Sequence, residues 1–199
     1  MQMRRLHERI SEIPAFDESI LEPEGEEVVR AVFTMPLQEF KFGEYCRKQG
    51  LATYIPVRRA WKIHNVSRNG RSYSYSKEVL RPLFASYVFV KVALSEMGGL
   101  YSSNMINRIL PVNDLRRFID EIRVVRKVEV LGFSQELELN SEIAVGEHFT
   151  IQSGIWEGVN GWLSRKDGVF KWTVQIEIAN QYVTTTIDPT QFKMTRFED

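Results

Sequence analysis

The stretch Val145-Gly146-Glu147-His148-Phe149-Thr150-Ile151-Gln152-Ser153-Gly154-Ile155-Trp156-Glu157-Gly158-Val159-Asn160-Gly161-Trp162-Leu163 constrains the fold of this chain more than any other. Phe149 and Ile151 alternate with Thr150 and Gln152, so one face of a strand is apolar and the other polar. Gly154 permits a turn with positive φ, and Gly158 and Gly161 permit the close backbone approach that closes a small barrel. Apolar alternation resumes at Val174, Ile176 and Ile178, then at Val183 and Ile187. The pattern predicts a compact all-β barrel of about five short strands.

The preceding residues follow a different pattern. Residues 27–34 read as a strand, and Pro36 opens a helix that runs to about Gln49, where Gly50 stops it. Residues 51–63 and 72–79 read as strands around the hairpin turn Asn69-Gly70. The nearly continuous apolar run 84–92 predicts a buried central strand, followed by a short helix over 95–101 and a strand over 105–112. Asn113-Asp114 offers the N-cap of a helix with Leu115, Phe118, Ile119 and Ile122 on one face. This order predicts an α+β domain, a mainly antiparallel sheet with flanking helices. The expected organisation is an acidic extension at 1–25, the α+β domain at 26–130, a linker at 131–142 and the small β-barrel at 143–199. The extension, which holds Pro14 and Pro23, reads as mobile or partner-dependent.

A formal net charge of zero hides a strong asymmetry. Residues 1–27 carry eight acidic and three basic side chains, and residues 134–199 carry ten acidic and five basic. Residues 54–91 carry eight basic side chains against the single acid Glu78, a band that attracts a polyanion. Within it Arg58, Arg59, Lys62, Arg68 and Arg71 flank the predicted turn and interleave with Trp61, His64, Tyr73 and Tyr75. Cations neutralise phosphates and exposed rings stack on splayed bases. The same residues also suit a solvated hairpin whose charges guard an open edge, and the residues alone leave both readings open.

No pattern in the chain carries catalysis. His7, His64 and His148 lack partners at metal-ligand or general-base spacing. There is no phosphate-binding loop ending in Lys-Ser or Lys-Thr and no Gly-x-Ser-x-Gly elbow. The expectation is a protein that is not an enzyme and uses no metal or cofactor. The one cysteine, Cys46, reads as a packing residue. No apolar run approaches the roughly 20 residues of a membrane span, and the charged N-terminus is unlike a signal peptide, so a cytoplasmic protein is expected.

Two segments carry a resemblance. Val145-Gly146-Glu147, with Ile151, Gly154, Glu157, Gly158 and Gly161, resembles a KOW motif, and Arg81-Pro82-Leu83-Phe84-Ala85-Ser86-Tyr87-Val88-Phe89-Val90 resembles the core strand of a NusG N-terminal (NGN) domain. Together they resemble the NusG family of transcription elongation factors, over roughly residues 28–130 and 142–196. The nearest branch in pattern is the UpxY-like antiterminators of capsular polysaccharide operons. The resemblance implies an SH3-like KOW barrel after the NGN-like domain. It also implies RNA polymerase as partner, docked by its clamp on an aromatic pocket at Phe84 and Tyr87 with Tyr54 and Pro56 alongside. Non-template DNA or nascent RNA would meet the basic set Arg58, Arg59, Lys62, Arg68, Arg71 and Tyr73. The barrel would hold a protein partner, by analogy a ribosomal protein, through Phe149, Ile151 and Trp156, and the chain is expected to act as a monomer. Where housekeeping members carry an aromatic residue after an Asp to contact the termination factor Rho, this chain has Asp188-Pro189, which fits an antiterminator. The alternative reading is a KOW-type RNA-binding or ribosome-associated protein.

Overall fold

β-Branched residues dominate strand β1 (Glu27–Thr34), which takes an inner position in a four-stranded antiparallel sheet. Its neighbours are β5 (Tyr87–Ala93) and β6 (Ile106–Ile109), and the two-residue β2 (Thr53–Tyr54) pairs the far side of β5. The structure, a computed structural model, describes residues 13–68, 71–134, 137–140 and 146–197. One sheet face packs Val32, Val88, Val90 and Val92 against Phe42 and Cys46 of α1 (Glu39–Lys48) and Leu100 of α2 (Met97–Tyr101). The opposite face packs Val29, Ala31 and Phe89 under α3 (Leu115–Gly132), whose Phe118, Ile122, Val125 and Val128 point inward. Asp114 caps α3 by accepting a hydrogen bond from the Arg117 N–H at 3.0 Å, as the sequence predicts.

Between β2 and β5 the chain leaves the sheet as a separate two-stranded ribbon, β3 (Val57–Arg68) and β4 (Arg71–Pro82). Its register runs unbroken from Val57↔Pro82 to Arg68↔Arg71. At 3.4 Å per residue the ribbon reaches about 40 Å. The predicted turn Asn69-Gly70 lies outside the described residues.

Several boundaries differ from the sequence reading. The first helix begins at Glu39 rather than Pro36, because Leu37 takes a left-handed conformation (φ 63°) that no helix continues through. Pro56 divides the predicted strand 51–63 into β2 and β3. The predicted linker 131–142 is partly regular structure: residues 131–132 end α3, and Leu137–Asn140 form β7, paired with β11 (Gln181–Thr186). Of the predicted extension, residues 13–25 are described, and they lie on the domain: Ile20 and Leu21 are buried in the α3-side core.

The C-terminal lobe is a six-stranded antiparallel sheet. Its order is β12 (Met194–Arg196), β8 (Glu147–Ile151), β9 (Asn160–Lys166), β10 (Val169–Ile176), β11, β7. Strands β12 and β7 form its two edges, and among the described residues no ladder joins them, so the closed barrel expected from the sequence is not shown. Trp172, Val174, Ile176 and Val183 fill its core. Gly161 lets β9 press onto Trp172, since a Cβ there would lie 2.5 Å from the Thr173 carbonyl oxygen and 2.8 Å from the Trp172 ring.

The two lobes share one apolar cluster and a polar seam along α3. Ile178 N–H donates to the Glu121 carboxylate at 2.7 Å, Arg117 pairs with Glu177, and Lys127 Nζ donates to the Glu157 carbonyl. Burial holds the Glu121 carboxyl above its usual range, and Glu177 adds to the shift while the Ile178 N–H opposes it. A carboxyl raised on folding contributes stability that is complete below its unfolded pKa and is lost as pH rises through the folded value. Glu121→Gln keeps an acceptor oxygen for Ile178 without the buried charge. Its stability is therefore expected to gain on the wild type as pH rises from about 4 toward 7, read by urea titration. Gly161→Ala is expected to lose about 1–3 kcal/mol by overpacking, measured the same way.

Candidate functional site

At the end of the central sheet, just after the chain returns from the ribbon, three side chains line up across neighbouring strands. Phe33 on β1 lies directly opposite Tyr87 on β5 and Arg108 on β6. The two rings meet edge to face at 5.3 Å, and the Arg108 guanidinium lies 5.6 Å over the Phe33 ring. Both rings are half-buried, so a partly exposed aromatic surface with a cation at its rim remains. Burial raises the Tyr87 hydroxyl above its usual range, with Arg108 opposing. The chain after Phe33 exposes Met35, Leu37 and Phe40. Apolar side chains therefore face outward at that end of the sheet. Its shape depends on Glu39, a buried carboxylate that accepts from the Ser86 N–H at 2.7 Å and holds Ser86 at φ 68°.

That turn at Ser86 also separates the residues the sequence grouped together. Tyr87 stays partly exposed, while Phe84, three residues before β5 begins, is fully buried in the α3-side core. Tyr54 is buried too, stacked at 5.8 Å on Phe89 and covered by Phe16 at 4.6 Å, and Pro56 is buried beside it. The expected pocket of Tyr54, Pro56, Phe84 and Tyr87 is thus not one open surface in this structure. Phe33, which completes the exposed row, was missed because strand alternation assigns it inward like Val29 and Ala31. Only its position at the end of the sheet leaves it uncovered.

The ribbon sorts its side chains by face. Cross-strand partners Arg58↔Arg81, Lys62↔Lys77, His64↔Tyr75 and Val66↔Tyr73 share one face. The other carries Trp61, Ile63, Asn65 and Ser67 against Glu78, Ser76, Ser74 and Ser72. The first face therefore sets two like-charged pairs, Arg58 with Arg81 and Lys62 with Lys77, directly across the strands, which concentrates positive potential there. His64 stacks on Tyr75 at 5.1 Å, and Tyr73 is exposed. Arg59 lies on the opposite face and is engaged at the ribbon's root. It pairs with buried Glu78 at 3.6 Å, donates to the Phe133 carbonyl and covers the Phe133 ring at 5.5 Å. Arg59 is thus held at the ribbon's root, whereas His64, Tyr75, Lys77 and Arg81 share the face of Arg58 and Lys62 by register. The side chains of Arg68 and Arg71 lie outside the described ones.

In the C-terminal lobe the three predicted contact residues are placed largely inward. Ile151 is fully buried, Phe149 half-buried, and Trp156 only 2% exposed. Trp156, expected to contact a partner, does not stand out from the turn after Gly154. Instead Glu157 N–H donates to the Gly154 carbonyl and Val159 N–H to the Trp156 carbonyl, and this tight turn folds the indole into the core. The accessible rings are others: His148 lies between Trp162 at 4.7 Å and Phe197 at 4.4 Å. Among the described residues no group of three His, Cys, Asp or Glu side chains is placed to hold a metal ion, and no helix is long and apolar enough to cross a membrane.

This sheet, with helices on both faces and a ribbon projecting from it, matches a known family over residues 30–134, more than half of the chain. The family is described as transcription termination factor nusG. The chain belongs to the NusG family of transcription factors. No curated protein sequence matches it. Among solved structures it is similar to a crystal structure described as an MjSpt4:Spt5 complex, conformation B. Identity is 14% over 86% of this chain and 99% of that one, with a TM-score of 0.24, at which the likeness decides nothing.

Burial separates Phe84 from Tyr87 experimentally. Phe84→Ala is expected to cost about 3–5 kcal/mol in urea unfolding. Tyr87→Ala is expected to keep the circular dichroism spectrum and a cooperative transition.

Proposed function

We propose that this chain is a non-enzymatic transcription elongation factor that docks on the RNA polymerase clamp through Phe33 and Tyr87. The observation that carries this reading is the partly exposed aromatic row at the end of the NusG-family sheet, rimmed by Arg108. Tyr and Phe give large contact area at low entropic cost, and a coiled-coil tip offers apolar side chains to meet them. Tyr54, Pro56 and Phe84 support that surface from beneath rather than touching the partner. The basic face of the ribbon takes non-template DNA or nascent RNA, with Arg58, Lys62, Lys77 and Arg81 on phosphates and Tyr73 and Tyr75 on bases. The C-terminal lobe acts as a KOW-type adaptor for a second protein, such as a ribosomal protein. Persistent elongation on a dedicated operon, as in the UpxY-like antiterminators, is the biological form of this activity.

Two measurements test it. Phe33→Ala with Tyr87→Ala is expected to weaken binding to core RNA polymerase at least about tenfold, the loss of one well-packed anchor, with an unchanged circular dichroism spectrum. Unchanged affinity would remove the row from the interface. Lys62→Ala with Arg81→Ala is expected to lower the salt slope of single-stranded oligonucleotide binding by about 1.4, two phosphate contacts at about 0.7 each. Arg59→Ala is expected to leave that slope alone.

A further inference from the structure

The root of the ribbon is held by one buried carboxylate. Glu129 on α3, 1% exposed, accepts from the Tyr54 hydroxyl and from the Val57 N–H, each at 2.8 Å. Tyr54 ends β2 and Val57 begins β3, so this carboxylate fixes the angle at which the ribbon departs from the sheet. Arg126, one turn earlier on α3, supplies the countercharge to Glu129. The same guanidinium also donates to the Pro14 carbonyl at 3.0 Å and lies 5.4 Å over the Phe16 ring. Phe16 in turn meets Tyr54 edge to face. The N-terminal segment, the countercharge, the carboxylate and the first amide of the ribbon thus form one continuous chain of contacts.

The segment is held unevenly. Ile20 and Leu21 are buried at 2% and 5% exposure, and Glu24 pairs with Lys91 at 3.1 Å. Ahead of this anchor, Phe16 is half-buried and Ala15 and Asp17 are exposed. Asp17 caps the turn that follows by accepting from the Ser19 N–H at 3.0 Å, so residues 14–16 can lift away while 17–24 stay in place. Lifting removes the ring and the carbonyl from Arg126, opens the socket to water and weakens the hold on Glu129. A buried carboxylate tolerates little loss of pairing.

We propose that Pro14–Phe16 is a releasable strap that sets the direction of the basic ribbon, with Arg126 and Glu129 as the positioning residues through which it acts. With the strap seated the ribbon has one direction; with the strap lifted it samples several. A partner that captures Phe16 thereby changes where the basic face points. The coupling holds whichever ligand the ribbon takes, so it stands apart from the polymerase reading.

Spin labels at Ser74→Cys on the ribbon and Arg123→Cys on α3 report the angle in the full chain. Cys46 is buried and burial pushes its thiol up to about 11, so it stays unlabelled. Pulsed dipolar spectroscopy is expected to give one narrow distance for the otherwise native chain and for Phe16→Tyr, and a broad distribution for Phe16→Ala. Amide exchange separates a positioning role from a merely structural one. Val57 is expected to exchange at least tenfold faster in Phe16→Ala while Val90, in the middle of the sheet, keeps its rate. A distribution that stays narrow in Phe16→Ala, or acceleration of Val57 and Val90 by the same factor, would overturn the proposal. If Phe16→Ala does not fold, Phe16→Leu, which keeps bulk but loses the ring over Arg126, is read by the same criteria.

Discussion

The buried carboxylate of Glu129 is the constraint on which the arrangement depends. An ionised group this deep is tolerated only with full pairing, and it has three partners from three places in the chain: Tyr54, Val57 and Arg126. Those contacts join α3 to the strand that ends the sheet and to the strand that begins the ribbon. Burial and the adjacent Glu129 charge raise the Tyr54 hydroxyl far above its usual range, so it stays a donor at any physiological pH. With this node in place α3 lies at a fixed position over Phe89, and its outer side is free to meet the C-terminal lobe at Arg117, Glu121 and Lys127.

The proposed function rests on what α3 leaves uncovered. The helix begins after the sheet's end row, so Phe33 and Tyr87 keep an open edge while Ala31 and Phe89, one step inward, are buried. The ribbon leaves after β2 and gathers its cationic pairs Arg58↔Arg81 and Lys62↔Lys77 on one face. On the proposed reading, the sheet's aromatic edge holds a protein partner while the projecting cationic arm holds a polyanion. That geometry suits a factor acting beside an enzyme that moves along nucleic acid.

Much of this fold was legible in the sequence, for physical reasons. The strand at 27–34 and the helix after Asp114 have strong periodicity and a capping side chain, and both appear where expected. The ribbon was legible from two β-rich runs around Asn-Gly. What the sequence could not show was which apolar residues end up outside. Phe84 and Tyr87 sit three residues apart in one aromatic run, and the positive φ of Ser86, pinned by distant Glu39, decides which one is buried. Arg59 reads like its neighbours until Phe133, 74 positions away, claims its guanidinium. Trp156 looked like a turn residue, and the turn folds it inward. The differences at Tyr87 and Arg59 come from long-range contacts with no local signature.

The central claim is that the Phe33–Tyr87 edge faces RNA polymerase. The most direct test is photo-crosslinking from p-benzoylphenylalanine placed at position 33, with purified transcribing polymerase assembled on a nucleic-acid scaffold. The account predicts a single adduct to the polymerase clamp, lost when the clamp tip is deleted. An adduct to nucleic acid or to a ribosomal protein instead, or none at saturating polymerase, would contradict it.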